Sequence, residues 1–581
     1  MIRFYLFIFL FSGFSVFVSA DKDIGGPLKV LPVQSGGRVQ PFDTFARNSL
    51  RFIYGKTQFN KKSAVDILMS WVLLPEHWNE TDFVQVKESV LKKVLKLNMD
   101  KSHFSPSELL NNKAFAQEIE ELRVKQQNKE SLDDYFKSVQ NLENRLVLYQ
   151  AFYRGDLPGW VPDFVKDIPV EFENSGFEDM AAQSKEPKNY GKKIPDEYSK
   201  KSWLVFSKMA KEEQELFQKV VRAYVLAVSP EGQLSGSKER QDLKKAVINF
   251  QQKIQSKYPS YKASSSKISV ELHYNKLNPF RWAWVLYLLG FLFLFIYFLF
   301  RKKTLFYISL SVLTVAFCLQ GYGMALRSFI MGRPPVTNMY ETVIWVPWVA
   351  VIFGAMLWWR QKIFAVFACA CAVALFCLLL ADSAPTLLDG RLEPLEAVLR
   401  SNFWLTTHVL IITMSYSAFF LAFAIGDVLL FMFLYPKGVL PNKIKSYARC
   451  IDRSIQVGVV LLAAGTILGG IWADYSWGRF WGWDPKETWA LISLLGYLAL
   501  LHGRLVGWVK EFGLAVGSVL IFFLVVMAWY GVNYVLGQGL HSYGFGSGGV
   551  EYVAGFAFFH LMYVLLVYFL RSRKKGDNNK Q

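Results

Sequence analysis

Residues 472–489 read Trp472-Ala-Asp-Tyr-Ser-Trp477-Gly478-Arg479-Phe480-Trp481-Gly482-Trp483-Asp484-Pro485-Lys486-Glu487-Thr-Trp489, and five of the chain's 18 tryptophans fall in this one stretch. An interfacial aromatic belt would scatter tryptophans over many helix ends. Loading a short loop instead builds a flat, rigid, apolar surface with a few polar handles, suited to a large planar ligand. The seven histidines add a second chemistry, because neutral imidazoles above and below a planar macrocycle can hold its metal. His408 and His541 flank the Trp loop in the chain, and His502 follows it by some 15 residues. Arg333, Arg400 and Arg479 are cations that could meet anionic groups of such a ligand. Asp484-Pro485 reads as a helix start, with a carboxylate cap, a proline at the first turn and Glu487 at the favourable end of the dipole.

The elements that must position these residues follow from composition. The chain has 581 residues, is 52% hydrophobic and carries a formal net charge of +18. Such basicity would ordinarily raise nucleic-acid binding. Its distribution argues otherwise. Residues 21–280 hold 40 Lys+Arg against 34 Asp+Glu and contain no long apolar run, whereas residues 281–581 hold 24 against 13 in a segment dominated by Leu, Phe, Val, Ala and Trp. Residues 1–20, with Arg3, an apolar stretch and Val18-Ser19-Ala20, read as a secretory signal peptide, with an uncleaved N-terminal helix as the alternative.

Residues 21–280 read as a mainly helical extracytoplasmic domain, with helical periodicity around 82–97, 195–228 and 237–258 and a helix start at Ser105-Pro106-Ser107-Glu108. Residues 281–570 hold nine apolar runs of spanning length, near 281–300, 304–325, 341–358, 363–381, 408–435, 455–472, 488–505, 512–534 and 551–570. Residues 571–581 form a cytoplasmic tail. The fold class is therefore all-α, a polytopic helical membrane protein behind a helical external domain. With residues 21–280 outside, the inner loops carry 17 Lys+Arg and the outer loops six, so the positive-inside rule and the signal peptide agree. His408, His541 and the Trp loop then share the outer face. His502 lies about 22 Å deeper, where an ionisable group is a functional hypothesis by default. None of the five cysteines lies in 21–280, and no CxxC occurs, which excludes a disulfide framework there and a thioredoxin-like motif.

The Trp loop resembles the WWD signature, W-G-x-x-W-x-W-D-x-x-E, of haem-handling proteins in cytochrome c maturation, with Trp477, Gly478, Trp481, Trp483, Asp484 and Glu487 in register. Within that superfamily, three further segments resemble the CcsA/ResC proteins of System II: Arg333-Pro-Pro-Val-Thr-Asn338-Met-Tyr340-Glu341-Thr, Ser401-Asn-Phe-Trp404 leading to His408, and Gly539-Leu540-His541-Ser542-Tyr543-Gly544. The resemblance spans roughly 320–570, and Pro32 to Arg47 looks like a segment preceding the core in some long relatives. It implies that haem b (iron protoporphyrin IX) is carried as a transported ligand in the bacterial cytoplasmic membrane. His408 and His541 would be axial ligands at an outer site, against the shelf of Trp477, Trp481 and Trp483, and His502 would bind at an inner site. The haem vinyl groups would then meet the thiols of a CxxCH motif on an apocytochrome c, making the chain a subunit of a cytochrome c synthase of the haem lyase type.

A CcsB/ResB-type membrane partner is expected as a separate subunit, since residues 21–280 read as helical where that partner is expected to be strand-rich. Thiol-reducing proteins are further expected partners, and nucleic acid is not one. Alternatives are a System I protein of the CcmF or CcmC type, which shares the Trp motif, and a respiratory b-type cytochrome subunit that keeps its haem.

Overall fold

The computed structural model describes residues 24–128, 130, 132–153, 161–162, 203–204, 209–228, 237–258, 261, 265–384, 387–394, 401–434, 440–536 and 549–578. The segment 1–20, Arg400 and His541 lie outside them. The chain divides into two compact units at His273 and Tyr274.

In the first unit, β1 (Pro32–Ser35) and β2 (Arg38–Pro41) pair antiparallel, Val33 opposite Gln40, and run directly into α1 (Phe42–Tyr54). Ser63 caps α2 (Ala64–Leu73), its hydroxyl accepting from the Asp66 N–H. Then follow α3 (Lys113–Gln127), α4 (Asp134–Tyr153), α5 (Lys211–Ala227) and α6 (Ser237–Lys257). Trp71 is fully buried among the rings of Phe83, Tyr149 and Phe152 at 5.3, 6.2 and 5.6 Å, a core built on aromatic area. Asp66 ties distant segments together, accepting from the Gly25 N–H (2.7 Å) and the Tyr224 hydroxyl (3.1 Å).

The helix start at Ser105 is present: its hydroxyl accepts from the Glu108 N–H, and Pro106–Leu110 is helical. The periodicity over 82–97 resolves differently. Only Ser89–Val94 is helical, and Val84–Gln85 pairs antiparallel with His103–Phe104. A two-residue strand is too short to impose an alternating pattern on sequence.

In the second unit, nine helices among the described residues are long and apolar enough to cross a membrane. Their α-helical parts are α7 (Pro279–Phe300), α8 (Lys303–Met331), α9 (Met339–Gln361), α10 (Phe364–Ser383), α11 (Leu410–Leu434), α12 (Pro441–Trp477), α13 (Pro485–Leu505), α14 (Glu511–Val526) and α15 (Val550–Asn578). Two π-helical segments adjoin them, Leu405–Val409 before α11 and Met527–Leu536 after α14.

Lipid tails give helices no hydrophobic reason to associate, so their contacts rely on close packing of small residues and on internal hydrogen bonds. On α10, Cys369, Ala370, Cys371, Ala374 and Cys377 are buried, the cysteines acting as small apolar side chains. Gln320 on α8 is wholly buried, accepting from the Tyr287 hydroxyl (3.1 Å) and donating to the Ile344 carbonyl (2.8 Å). Phe419 of α11 stacks on Tyr497 of α13 at 3.8 Å and 4°.

Candidate functional site

The site begins where α12 stops. Its last residue is Trp477, and Gly478 follows at φ +71° with its N–H on the Asp474 carbonyl (2.9 Å), a left-handed C-cap that glycine adopts without strain. The loop turns through Arg479–Trp483 and re-enters as α13 at Asp484. The Asp484 carboxylate accepts from the Lys486 N–H (3.0 Å), and the Glu487 carboxylate accepts from the N–H groups of Asp484 (3.2 Å) and Gly482 (2.8 Å). This reciprocal capping box, with Pro485 at the first helical position, satisfies donors that a helix start leaves orphaned. Replacing Asp484 by alanine is expected to cost about 1 kcal/mol, seen as a drop of a few degrees in apparent Tm of the detergent-purified protein. Asp484→Asn should retain most of that stability; an unchanged Tm in the alanine variant would count against the cap.

Above this hinge lies a cavity with about 1230 Å³ of empty space, part of it open to solvent. The Trp loop and α12 contribute Trp472, Ser476, Trp477, Phe480 and Trp481; α9 and the turn before it contribute Thr337, Asn338, Met339 and Thr342. Both π-helical segments supply walls, Leu405 and His408 from one, Trp529 and Asn533 from the other. Short π-helical stretches, which displace a side chain relative to an α-helix, are frequent at functional sites.

His408 is therefore on the cavity wall. Its Nδ1 lies 2.8 Å from the Gly465 carbonyl, and a carbonyl can only accept, so Nδ1 carries a proton and, in the neutral ring, Nε2 carries the lone pair. That is the tautomer in which a histidine ligates a metal through Nε2 while its other nitrogen is held by a carbonyl. The ring meets Trp472 edge-on at 5.7 Å. Gly469 makes this placement feasible, because a Cβ there would stand 2.6 Å from His408 Cε1.

The structure brings together His408, Trp477, Trp481 and the Asp484–Glu487 cap. Trp483 is apart from them: held at φ +57°, it meets Trp481 at right angles at 5.8 Å, is 70% exposed and does not line the cavity. His502 is at the other end of α13, about 25 Å along the axis, exposed and with Nδ1 donating to the Leu498 carbonyl (2.8 Å). His560, on α15, is buried among the rings of Phe423, Phe523 and Phe556, its Nε2 3.4 Å from Asp427.

The arginines have defined neighbours. Arg479 pairs with Glu487 at 3.2 Å and lies over the Trp477 ring at 5.6 Å. Arg333 is buried, and its guanidinium donates to the Glu341 carboxylate (2.9 Å), the Thr337 hydroxyl and the Glu393 carbonyl (2.9 Å). From the other side, Arg327 donates to Glu341 (2.8 Å), the Gly390 carbonyl (2.9 Å) and the Tyr274 hydroxyl (3.1 Å). Glu341 also accepts from Thr337, and the Asn338 side-chain Oδ1 accepts from the Glu341 N–H. This charged clasp fixes the turn that carries Thr337 and Asn338 into the cavity wall.

Sequence reasoning passed over Lys486, Trp529 and Asn533, which also line the cavity. Trp529 and Asn533 carried no signal beyond residue type within an apolar run. Lys486 did carry one. It is the second residue of α13, where the positive end of the helix dipole disfavours a cation, and broken local rules tend to mark functional positions.

Residues 336–541 match the family model described as cytochrome C assembly protein. The chain is 28% identical over 535 residues to protein NrfI of Wolinella succinogenes, covering 88% of this chain and 53% of that protein. Such a span exceeds the membrane unit and so reaches well into the first unit. It is 33% identical over 223 residues to cytochrome c biogenesis protein CcsA of Chlamydomonas reinhardtii, covering 37% of this chain and 62% of the relative. To CcsA of Guillardia theta it is 30% identical over 270 residues, covering 42% of this chain and 89% of that protein. The chain thus spans about half the length of NrfI and under two thirds of the algal protein.

Proposed function

The chain belongs to the CcsA-type cytochrome c biogenesis proteins, and from that premise we propose that it handles haem during cytochrome c maturation, as a System II synthase subunit in a bacterial cytoplasmic membrane. The observation that carries this reading is a single one: His408, with a proton on Nδ1, in the wall of a cavity whose other walls include Trp472, Trp477 and Trp481. A planar apolar macrocycle gains contact area against rigid aromatic walls, and an imidazole lone pair supplies the iron ligand. His541, outside the described residues, is the proposed second axial ligand, and His502 serves an inner site at the other end of α13. Haem is cargo here, written as a substrate and not as a resident cofactor.

In this reading the protein binds and orients while haem and substrate thiols provide the reacting atoms. Each CxxCH thiol adds across a vinyl double bond. A carbon–sulfur bond forms at one carbon and the thiol proton ends on the other, so the attachment itself consumes no reductant. The Trp loop and cavity face the outer side, as the 17-to-six division of basic residues between loops favours. Partners are the CxxCH apocytochrome and a CcsB/ResB-type membrane subunit.

The test is reconstitution in a host lacking its own maturation system. A CxxCH reporter is expressed with this chain alone and with a CcsB/ResB-type partner, and covalent haem is scored on denaturing gels. Covalent product with the partner present, and a haem absorption spectrum for the purified chain, are the expected results. A chain that purifies intact but never carries haem overturns the reading.

A further inference from the structure

We propose that Lys486 is the anion-binding group of this cavity, holding a propionate carboxylate of the bound porphyrin; the proposal rests on the haem reading above. Lys486 lines the cavity, and its ammonium donates to the Asn533 side-chain carbonyl at 3.1 Å. A neutral amide does not balance a charge, and among the described residues Lys486 makes no direct ion pair, the Asp484 carboxylate two residues back acting on it only electrostatically while it caps α13. The described arginines nearby are already matched. Arg479 is on Glu487, and Arg327 and Arg333 share Glu341.

Two costs are built into this position. A half-buried cation on the wall of a largely aromatic cavity forfeits solvation unless an anion replaces the water. A cation at the second residue of a helix also faces the positive end of the dipole. A structural cross-link from α13 to the Met527–Leu536 segment needs neither cost, since a glutamine would reach Asn533 without a charge. A ligand carboxylate entering the cavity offsets both.

The experiment uses the full-length protein in detergent and two probes, iron protoporphyrin IX and its dimethyl ester, in which both carboxylates are neutralised. Binding is followed by absorbance titration. For Lys486→Met, affinity for the free acid is expected to fall roughly 10- to 100-fold, the size of one charge-assisted hydrogen bond, with the diester bound as in wild type. Lys486→Arg should recover most of the loss. Retained diester binding shows that Lys486→Met has folded. An equal loss for both probes, or no loss for either, overturns the proposal and leaves the haem reading standing. A wild-type protein that binds neither probe overturns the haem reading, and the role of Lys486 with it.

Discussion

Replacing Glu341 by alanine is expected to be among the most damaging single changes in the membrane unit. Its carboxylate is 1% exposed and bridges Arg327 and Arg333, whose side chains are 0% and 5% exposed. A buried ion pair owes its stability to completeness: removing one partner strands the other charge, at about 3–5 kcal/mol. Here one deletion strands two guanidinium groups. Each keeps a carbonyl acceptor, Gly390 for Arg327 and Glu393 for Arg333, which limits the damage without supplying a counter-charge. The apparent Tm in detergent should fall on the order of 10 °C, with loss of a monodisperse peak on size exclusion.

The converse change separates charge from packing. Arg327→Met, Arg333→Met and Glu341→Leu made together should recover part of the stability, because apolar replacements of a whole buried charge cluster are often tolerated. A Glu341→Ala protein that melts with the wild type would show that the clasp contributes nothing to the fold. The clasp also has a functional direction, since it holds the turn bearing Thr337 and Asn338 in the cavity wall.

How far such features can be read from sequence depends on whether the signal is local. The nine apolar runs and the Trp loop are compositional, and the start of α13 is written in four consecutive residues, Asp484 to Glu487. Those expectations meet their structural counterparts. The start of α12 was placed near 455, whereas the helix begins at Pro441. Its first turns carry Lys443, Lys445, Arg449 and Arg453, so hydropathy registers only the part suited to lipid.

Arg333 illustrates a different limit. An arginine near the outer end of a helix looks the same in sequence whether it awaits a ligand or is already paired. Its partner Glu341 is eight residues on, across a turn, and that glutamate's second arginine lies on α8. The resemblance to the WWD signature groups Trp483 with Trp477 and Trp481, but its left-handed backbone turns it to the surface. Trp529 and Asn533 come to the cavity on a π-helical segment, whose register no 3.6-residue periodicity can anticipate.

The second large effect concerns His408, and it tests the ligand and its orientation separately. His408→Gly should abolish haem retained through the outer site, with the absorption bands of the purified protein lost or shifted. Added imidazole should restore them in part, because the glycine variant leaves room for a free ligand in the same wall. His541→Ala should behave alike if two imidazoles share the iron. Orientation is tested at Gly469, where an alanine Cβ would fall 2.6 Å from His408 Cε1, closer than carbon atoms approach without displacement. Gly469→Ala keeps the histidine but forces its ring away from Gly465, whose carbonyl fixes the proton on Nδ1. Haem affinity should then fall, and imidazole should rescue poorly, because the displaced side chain still occupies the site. A second-site Gly465 variant cannot substitute for this test, since the acceptor is backbone. Equal haem content in wild type, His408→Gly and Gly469→Ala would place the ligand elsewhere. Loss in His408→Gly alone would keep His408 as the ligand while showing that its ring does not depend on the close approach of α12.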